Sequence, residues 1–165
     1  KSILLDINFQ DSINNSFDKL HSYKNIISYF DQRKYLTSID VTNNKILLNQ
    51  EKMYNVNSFF FFNNSLITLH KEGILKFSNI FNRNLFWEIN IIHLIKDDDK
   101  IINVSTFDKS LILFFKSGIV IEINSSNGEL ISNKNLKIKN IDKVTFNNMF
   151  FLILQNNGDT TIFSK

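Results

Sequence analysis

Apolar residues fall in short, dense runs along this chain, four to six residues long, separated by turn-forming residues and repeated at a regular interval. Leu66–Leu69, then Lys71-Glu72-Gly73, then Ile74–Phe77 form one such pair of runs. Leu111–Phe115, Lys116-Ser117-Gly118 and Ile119–Ile123 form a second, and Phe150–Leu154, Asn156-Asn157-Gly158 and Thr160–Phe163 a third. Runs this short cannot be helices, which need ten or more residues with a 3.6-residue period; near-continuous apolar runs predict strands covered on both faces. The glycine after each first run supplies the positive φ that a tight hairpin requires. A second turn signal closes each unit: Asn127-Gly128, with Asn43-Asn44 and the poorer Asn82-Arg83 as counterparts.

The units are copies. Phe62–Trp87 aligns with Phe107–Ser132 without a gap at an offset of 45, matching Ser65 with Ser110, Gly73 with Gly118, Asn82 with Asn127 and Leu85 with Leu130. A third copy starts at Phe146, with Gly158 lying 40 residues after Gly118. A weaker one spans Tyr35–Leu48, about 84 residues before its counterpart. A period near 40 residues with this strand grammar predicts an all-β fold, a β-propeller of about four antiparallel blades. The expected blades are 1–50, 51–95, 96–138 and 139–165, the last incomplete, in a single propeller domain or fragment. Four blades fit an open arc, part of a larger, eight-bladed ring, or a small ring closed on itself. Leu136, Ile138 and Ile141 alternate with polar residues, as expected of a half-exposed outermost strand. Phe59–Phe62 reads as a buried innermost strand rather than an exposed patch. Ile3–Phe9 is read as closing a preceding blade. Ser12–Tyr23 stays open between a short amphipathic helix and a strand–loop–strand piece.

Composition sharpens this picture. The 165 residues include 25 Ile and 17 Phe but no Ala, a tilt towards sheet formers, while the 25 Asn and the lack of Pro belong with a bias that looks like an AT-rich coding sequence. Absence of Cys removes disulfides, thiolate metal sites and cysteine nucleophiles. The net charge of +3 is too small to demand a nucleic-acid or membrane partner, and no apolar run is long enough to span a bilayer. The chain begins at Lys1 without a signal-like segment, which reads as a fragment or a processed form.

Candidate chemistry is sparse. His21, His70 and His93 have no partners at metal-ligand spacing, so no metal site is expected. Lys134, Lys137, Lys139 and Lys143 alternate with apolar positions and lack the Arg and exposed aromatics of a nucleic-acid surface. No nucleophile elbow, phosphate-binding loop or His-Glu-x-x-His is present, so neither catalysis nor a cofactor is expected. The sharpest charge cluster is Asp97-Asp98-Asp99. It lies on a loop before a strand, a candidate partner-binding loop by position, weighed against an ordinary solvated turn.

The pattern of an apolar strand, x-x-Gly, a strand ending near Asp or Asn, x-x-Asn-Gly and x-x-x-Trp resembles the PQQ-like (quinoprotein-type) propeller repeat. It is nearest in style to the BamB-type outer-membrane protein assembly lipoproteins of Gram-negative bacteria. The resemblance covers about residues 25–165 and rests on Gly73, Gly118, Gly158, Asn127, Gly128 and Trp87. It implies that Trp87 docks one blade on the next; Leu48 and Ser132 depart from that motif. It also implies a non-catalytic scaffold on the periplasmic side of the outer membrane. Such a scaffold would bind the β-barrel assembly machinery and reach the membrane only through partners or a lipid anchor outside this chain. A generic interaction propeller of a cytoplasmic complex is the alternative. A remnant of a PQQ-dependent dehydrogenase comes last, because that cofactor site needs a vicinal disulfide.

Overall fold

A computed structural model describes residues 19–30, 33, 35–146 and 150–164. These form fifteen strands and no helix. The strands make four antiparallel sheets, each a meander in chain order. The first holds β1 (Lys19–Tyr23), β2 (Ile26–Phe30), β3 (Tyr35–Asp40) and β4 (Lys45–Lys52). The second holds β5 (Val56–Phe62), β6 (Ser65–His70), β7 (Ile74–Asn79) and β8 (Leu85–Asn90). The third holds β9 (Ile101–Phe107), β10 (Ser110–Phe115), β11 (Ile119–Asn124) and β12 (Leu130–Asn135). The fourth has three described strands, β13 (Ile141–Phe146), β14 (Phe150–Gln155) and β15 (Thr160–Ser164). Lys19–Tyr23 is therefore strand; the rest of the Ser12–Tyr23 segment and Ile3–Phe9 lie outside the described residues.

Two compact units result. One comprises the first sheet with the turn Asn79–Asn84, the other the remaining three sheets. In the first unit, Phe30, Leu36 and Ile39 are buried, and the hydroxyls of Ser28 and Ser38, directly opposite each other, bond at 2.8 Å. Asp40 ends β3 and caps the next turn: Oδ1 accepts from Thr42 N at 2.9 Å and Oδ2 from Asn43 Nδ2 at 2.8 Å. Asn43 draws the Asp40 carboxyl below its ordinary pKa, helped by the Thr42, Asn43 and Asn25 donors against a smaller opposing effect of desolvation.

In the second unit the sheets lie face to face. Ile67, Leu69, Leu75, Phe77 and Trp87 of the second sheet pack against Leu111, Leu113, Phe115, Ile119, Ile121 and Ile123 of the third. Phe114 of the third packs with Ile141, Val144 and Ile153 of the fourth. Burial of one face and at least partial cover of the other explain why β6, β7, β10 and β11 read as near-continuous apolar runs. Phe59 and Phe61 are buried on β5, the first strand of its sheet. Polar brackets tie first strand to first strand. Asn57 Nδ2 donates to the Asp99 carbonyl at 2.7 Å, Ile101 N donates to Ser58 Oγ at 3.0 Å, and Asn103 Nδ2 donates to the Val144 carbonyl.

One expectation needs correction. The outermost strand of the third sheet is Leu130–Asn135, and residues 136–140 connect it to β13. Lys137 and Asn140 take positive φ of 58° and 56°, which breaks extended pairing, and Asn135 Oδ1 accepts from Lys137 N at 2.8 Å to set the turn. Leu136 and Ile138 alternate because they pack on the core shared with the fourth sheet.

Candidate partner-binding site

The turn Lys116–Gly118 joins β10 to β11 and is clasped from both sides. Lys116 N donates to the Lys100 carbonyl at 2.9 Å, while the Lys116 and Gly118 carbonyls accept from Ile141 N and Leu136 N. Gly118 is required here: at φ +90°, a Cβ would stand 1.9 Å from the Ile138 carbonyl oxygen. The clasp gathers the 91–100 loop, this turn and the 136–140 connection around a shallow cavity of about 220 Å³. Its walls carry Lys96, Lys116 and Lys139 beside Asp97, Asp98 and Asp99.

The three aspartates divide. Asp97 and Asp98 are exposed, whereas Asp99 is 6% exposed and structural. Asp99 Oδ1 accepts from Lys100 N at 3.0 Å and Ser117 N at 3.1 Å, pinning the start of β9 to the hairpin turn. Its Oδ2 is buried without a hydrogen-bond partner. The loop thus presents two free carboxylates among three exposed ammonium groups, an arrangement suited to charged side chains of a partner. Among the described residues no group of His, Cys, Asp or Glu could hold a metal. His93 is exposed on the same loop, and His70 Nε2 lies 3.3 Å from Thr68 Oγ1.

Trp87 and Gly128 come together, 41 positions apart in chain. The Trp87 ring is buried against the turn between β11 and β12, and its Nε1–H donates to the Ser125 carbonyl at 2.9 Å. A Cβ on Gly128 would stand 2.8 Å from the ring, so only glycine allows this approach. Asn127 Oδ1 accepts from Glu129 N at 3.0 Å and shapes that turn. Arg83 and Asn44, the counterparts of Gly128, adopt the same left-handed backbone at φ 60° and 49°. The Asp or Asn ending the third strand of each of the first three sheets also has a role that sequence reasoning left unassigned. Asn79 Oδ1 accepts from Phe81 N at 2.8 Å and Asn124 Oδ1 from Ser126 N at 2.9 Å, as Asp40 does in the first unit. Gly73 and Gly158 sit at φ +76° and +90° in their own hairpins.

A second surface was also missed. Outermost strands β8 and β12 begin with exposed apolar pairs, Leu85-Phe86 and Leu130-Ile131, at edges where, among the described residues, each strand pairs on one side only. The offset of 45 that links these pairs was the signal that could have found them.

The sequence matches no known protein family, and no curated protein is significantly similar to it. Solved structures are similar. The computationally designed Ika4 protein superposes with a TM-score of 0.64 at 13% identity, over 92% of this chain and 92% of that one. BamB from Moraxella catarrhalis superposes at 0.61 with 15% identity, over 89% of this chain and 42% of that one. The WD40 domain of SCAP from fission yeast gives 0.64 with 16% identity, over 92% and 40%. The chain therefore spans less than half of the BamB and SCAP structures. Four antiparallel meander sheets and these likenesses define the fold: the sheets are blades of a β-propeller, all of it or part.

Proposed function

We propose that the chain is a non-catalytic binding scaffold of the BamB type, acting on the periplasmic side of the outer membrane in the assembly of β-barrel proteins. The observation that carries this reading is the pair of open sheet edges, β8 and β12, each opening with exposed apolar residues. An unpaired edge offers a row of backbone donors and acceptors to an incoming strand, and flanking apolar side chains give that strand a place to bury its own. Unfolded segments of a β-barrel, which alternate apolar and polar residues, are complementary to such an edge. The loop around Asp97 and Asp98 supplies a separate charged contact for a fixed partner. The turn grammar that resembles the PQQ-like repeat, with Trp87 buried on a neighbouring turn, supports this reading.

Site-specific photo-crosslinking tests this. A crosslinking residue at Ile131, and separately at Asp97, is placed in the protein within the cells that make it, and captured proteins are identified by mass spectrometry. Capture of β-barrel precursors at Ile131 and of assembly-machinery components at Asp97 is expected. Capture confined to cytoplasmic proteins would replace this reading with that of a cytoplasmic interaction propeller.

A further inference from the structure

The two sheet interfaces of the second unit are built from equivalent positions but different residues. On the second sheet the row facing the third is Phe60, Ile67, Phe77 and Trp87, with Phe60 opposite Ile67 and Phe77 opposite Trp87. Moved on by the repeat offset, the row on the third sheet is Ser105, Ile112, Glu122 and Ser132, joined in register across β9 to β12. In the neighbouring row, Lys134 replaces Ile89. Two phenylalanines, a tryptophan and an isoleucine have become serine, glutamate, serine and lysine.

The space they leave is a cavity of about 420 Å³ between the third and fourth sheets. Its aromatic wall is Phe107, Phe114, Phe146 and Phe151. Phe146 and Phe151 meet Phe114 edge-on at centroid distances of 5.2 and 5.3 Å. The cavity opens to solvent on one side, so a small molecule can enter it. Two features open it: these replacements, and the lack among the described residues of a counterpart to the β11–β12 turn on which Trp87 docks. At the tighter interface the corresponding outermost strand, β12, turns Asn133 and Asn135 to that side, opposite Ile121 and Ile119, and both are exposed. Large side chains occupy those positions there, and a cleft of about 340 Å³ remains beside Phe62, Asn64, Phe77 and Ser125; here the large side chains are missing.

The chemistry of the lining selects an occupant. Glu122 is half-buried on a wall it shares with Ser105 and Ser132, opposite the aromatic one, and Ser132 Oγ donates to its Oε2 at 3.0 Å. Lys134 is exposed at the rim. Phenyl faces attract cations through their quadrupole, and a carboxylate beside them adds direct charge pairing. We propose that this cavity is a binding site for a small organic cation, an alkyl- or arylammonium. Its apolar body lies among Phe114, Phe146 and Phe151, and its ammonium meets Glu122. The volume and the ratio of apolar to polar lining residues are those of small-molecule sites.

The test is titration of the whole chain with benzyltrimethylammonium, followed by amide NMR shifts, with benzyl alcohol and benzoate as neutral and anionic comparisons. Saturable shifts at Val120, Glu122 and Phe146 are expected for the cation, with at least about tenfold weaker binding of the other two. Glu122→Gln should weaken the cation by about tenfold, the loss of one Coulombic pairing, since a quaternary ammonium has no N–H to donate. Lys134→Ala should leave it equal or tighter. Ser132→Trp, which restores the residue of the tighter interface, should abolish binding while leaving the circular dichroism unchanged. Equal binding of cation and alcohol, or indifference to Glu122→Gln in a folded variant, would overturn the proposal. So would the absence of saturable shifts together with protected Thr160 and Ile162 amides, which face away from β14 and would show that a further strand covers the site.

Discussion

Three turn glycines offer a graded perturbation, because they share a backbone conformation and differ in what surrounds them. Gly158 has φ +90° and nothing within 4 Å of a built Cβ. Gly128 has φ +77° and would place its Cβ 2.8 and 2.9 Å from Cδ2 and Cε3 of Trp87. Gly118 has φ +90° and would place it 1.9 Å from the Ile138 carbonyl oxygen, a backbone atom. Alanine at each site bears the left-handed cost of about 1–2 kcal/mol. For Gly158→Ala that is the whole effect. Gly128→Ala also displaces a buried indole held by its bond to Ser125, and overpacking of this kind adds about 1–3 kcal/mol, for a total near 2–5 kcal/mol. Gly118→Ala must move main chain at the clasp and should reach the exceptional range above about 4–5 kcal/mol. Urea unfolding followed by circular dichroism reads these as falling midpoints at unchanged slope. The pair Gly128→Ala with Trp87→Leu should be less destabilised than the sum of the single changes by about 1–3 kcal/mol, since the smaller side chain clears the clash. Equal losses at all three glycines, or strict additivity of the pair, would refute the contacts on which this ranking rests.

Other outcomes follow from the polar brackets. Ser58→Ala strips the acceptor from the Ile101 N–H at a buried site, and should cost about 1–3 kcal/mol by urea unfolding, although the change is a single oxygen. Asp40 has its pKa lowered in the folded chain, first by Asn43, so its contribution is present above the unfolded value and is lost as pH falls through the folded one. Unfolding midpoints of the wild type should therefore decline on the acid side of the ordinary carboxylate range, below about pH 4, and Asp40→Asn should remove that part of the decline.

How much of this was written in the residues depends on which physical signal each feature leaves. Hairpins such as Leu66–Phe77 and Leu111–Ile123 were legible because burial on both faces makes a run apolar throughout and the turn demands glycine. The resemblance implied that Trp87 docks one blade on the next, but its partner, the turn at Gly128, was not legible, since spacing places the indole and says nothing of what it meets. The outermost strand of the third sheet was misplaced, because Leu136 and Ile138 have strand-like alternation whether they pair or merely pack. Only the positive φ of Lys137 and Asn140 distinguishes the two cases, and neither residue type announces it. Burial of Asp99 was hidden in a run of three identical residues; its role comes from Ser117, 18 positions away. The departure at Ser132 was visible, but the cavity beside it needed Ser105, Glu122 and Lys134 brought onto one wall.

Trp87 is the only tryptophan, so its indole N–H gives a single, unambiguous NMR resonance. The account holds that sheets of about forty residues stack face to face, with this ring wedged between one blade and the turn of the next. It predicts slow hydrogen exchange of the indole N–H, strong nuclear Overhauser contacts from the ring to the Gly128 α-protons, and an upfield ring-current shift of those protons. An indole that exchanges at the rate of a solvent-exposed side chain and shows no contact with Gly128 would contradict it.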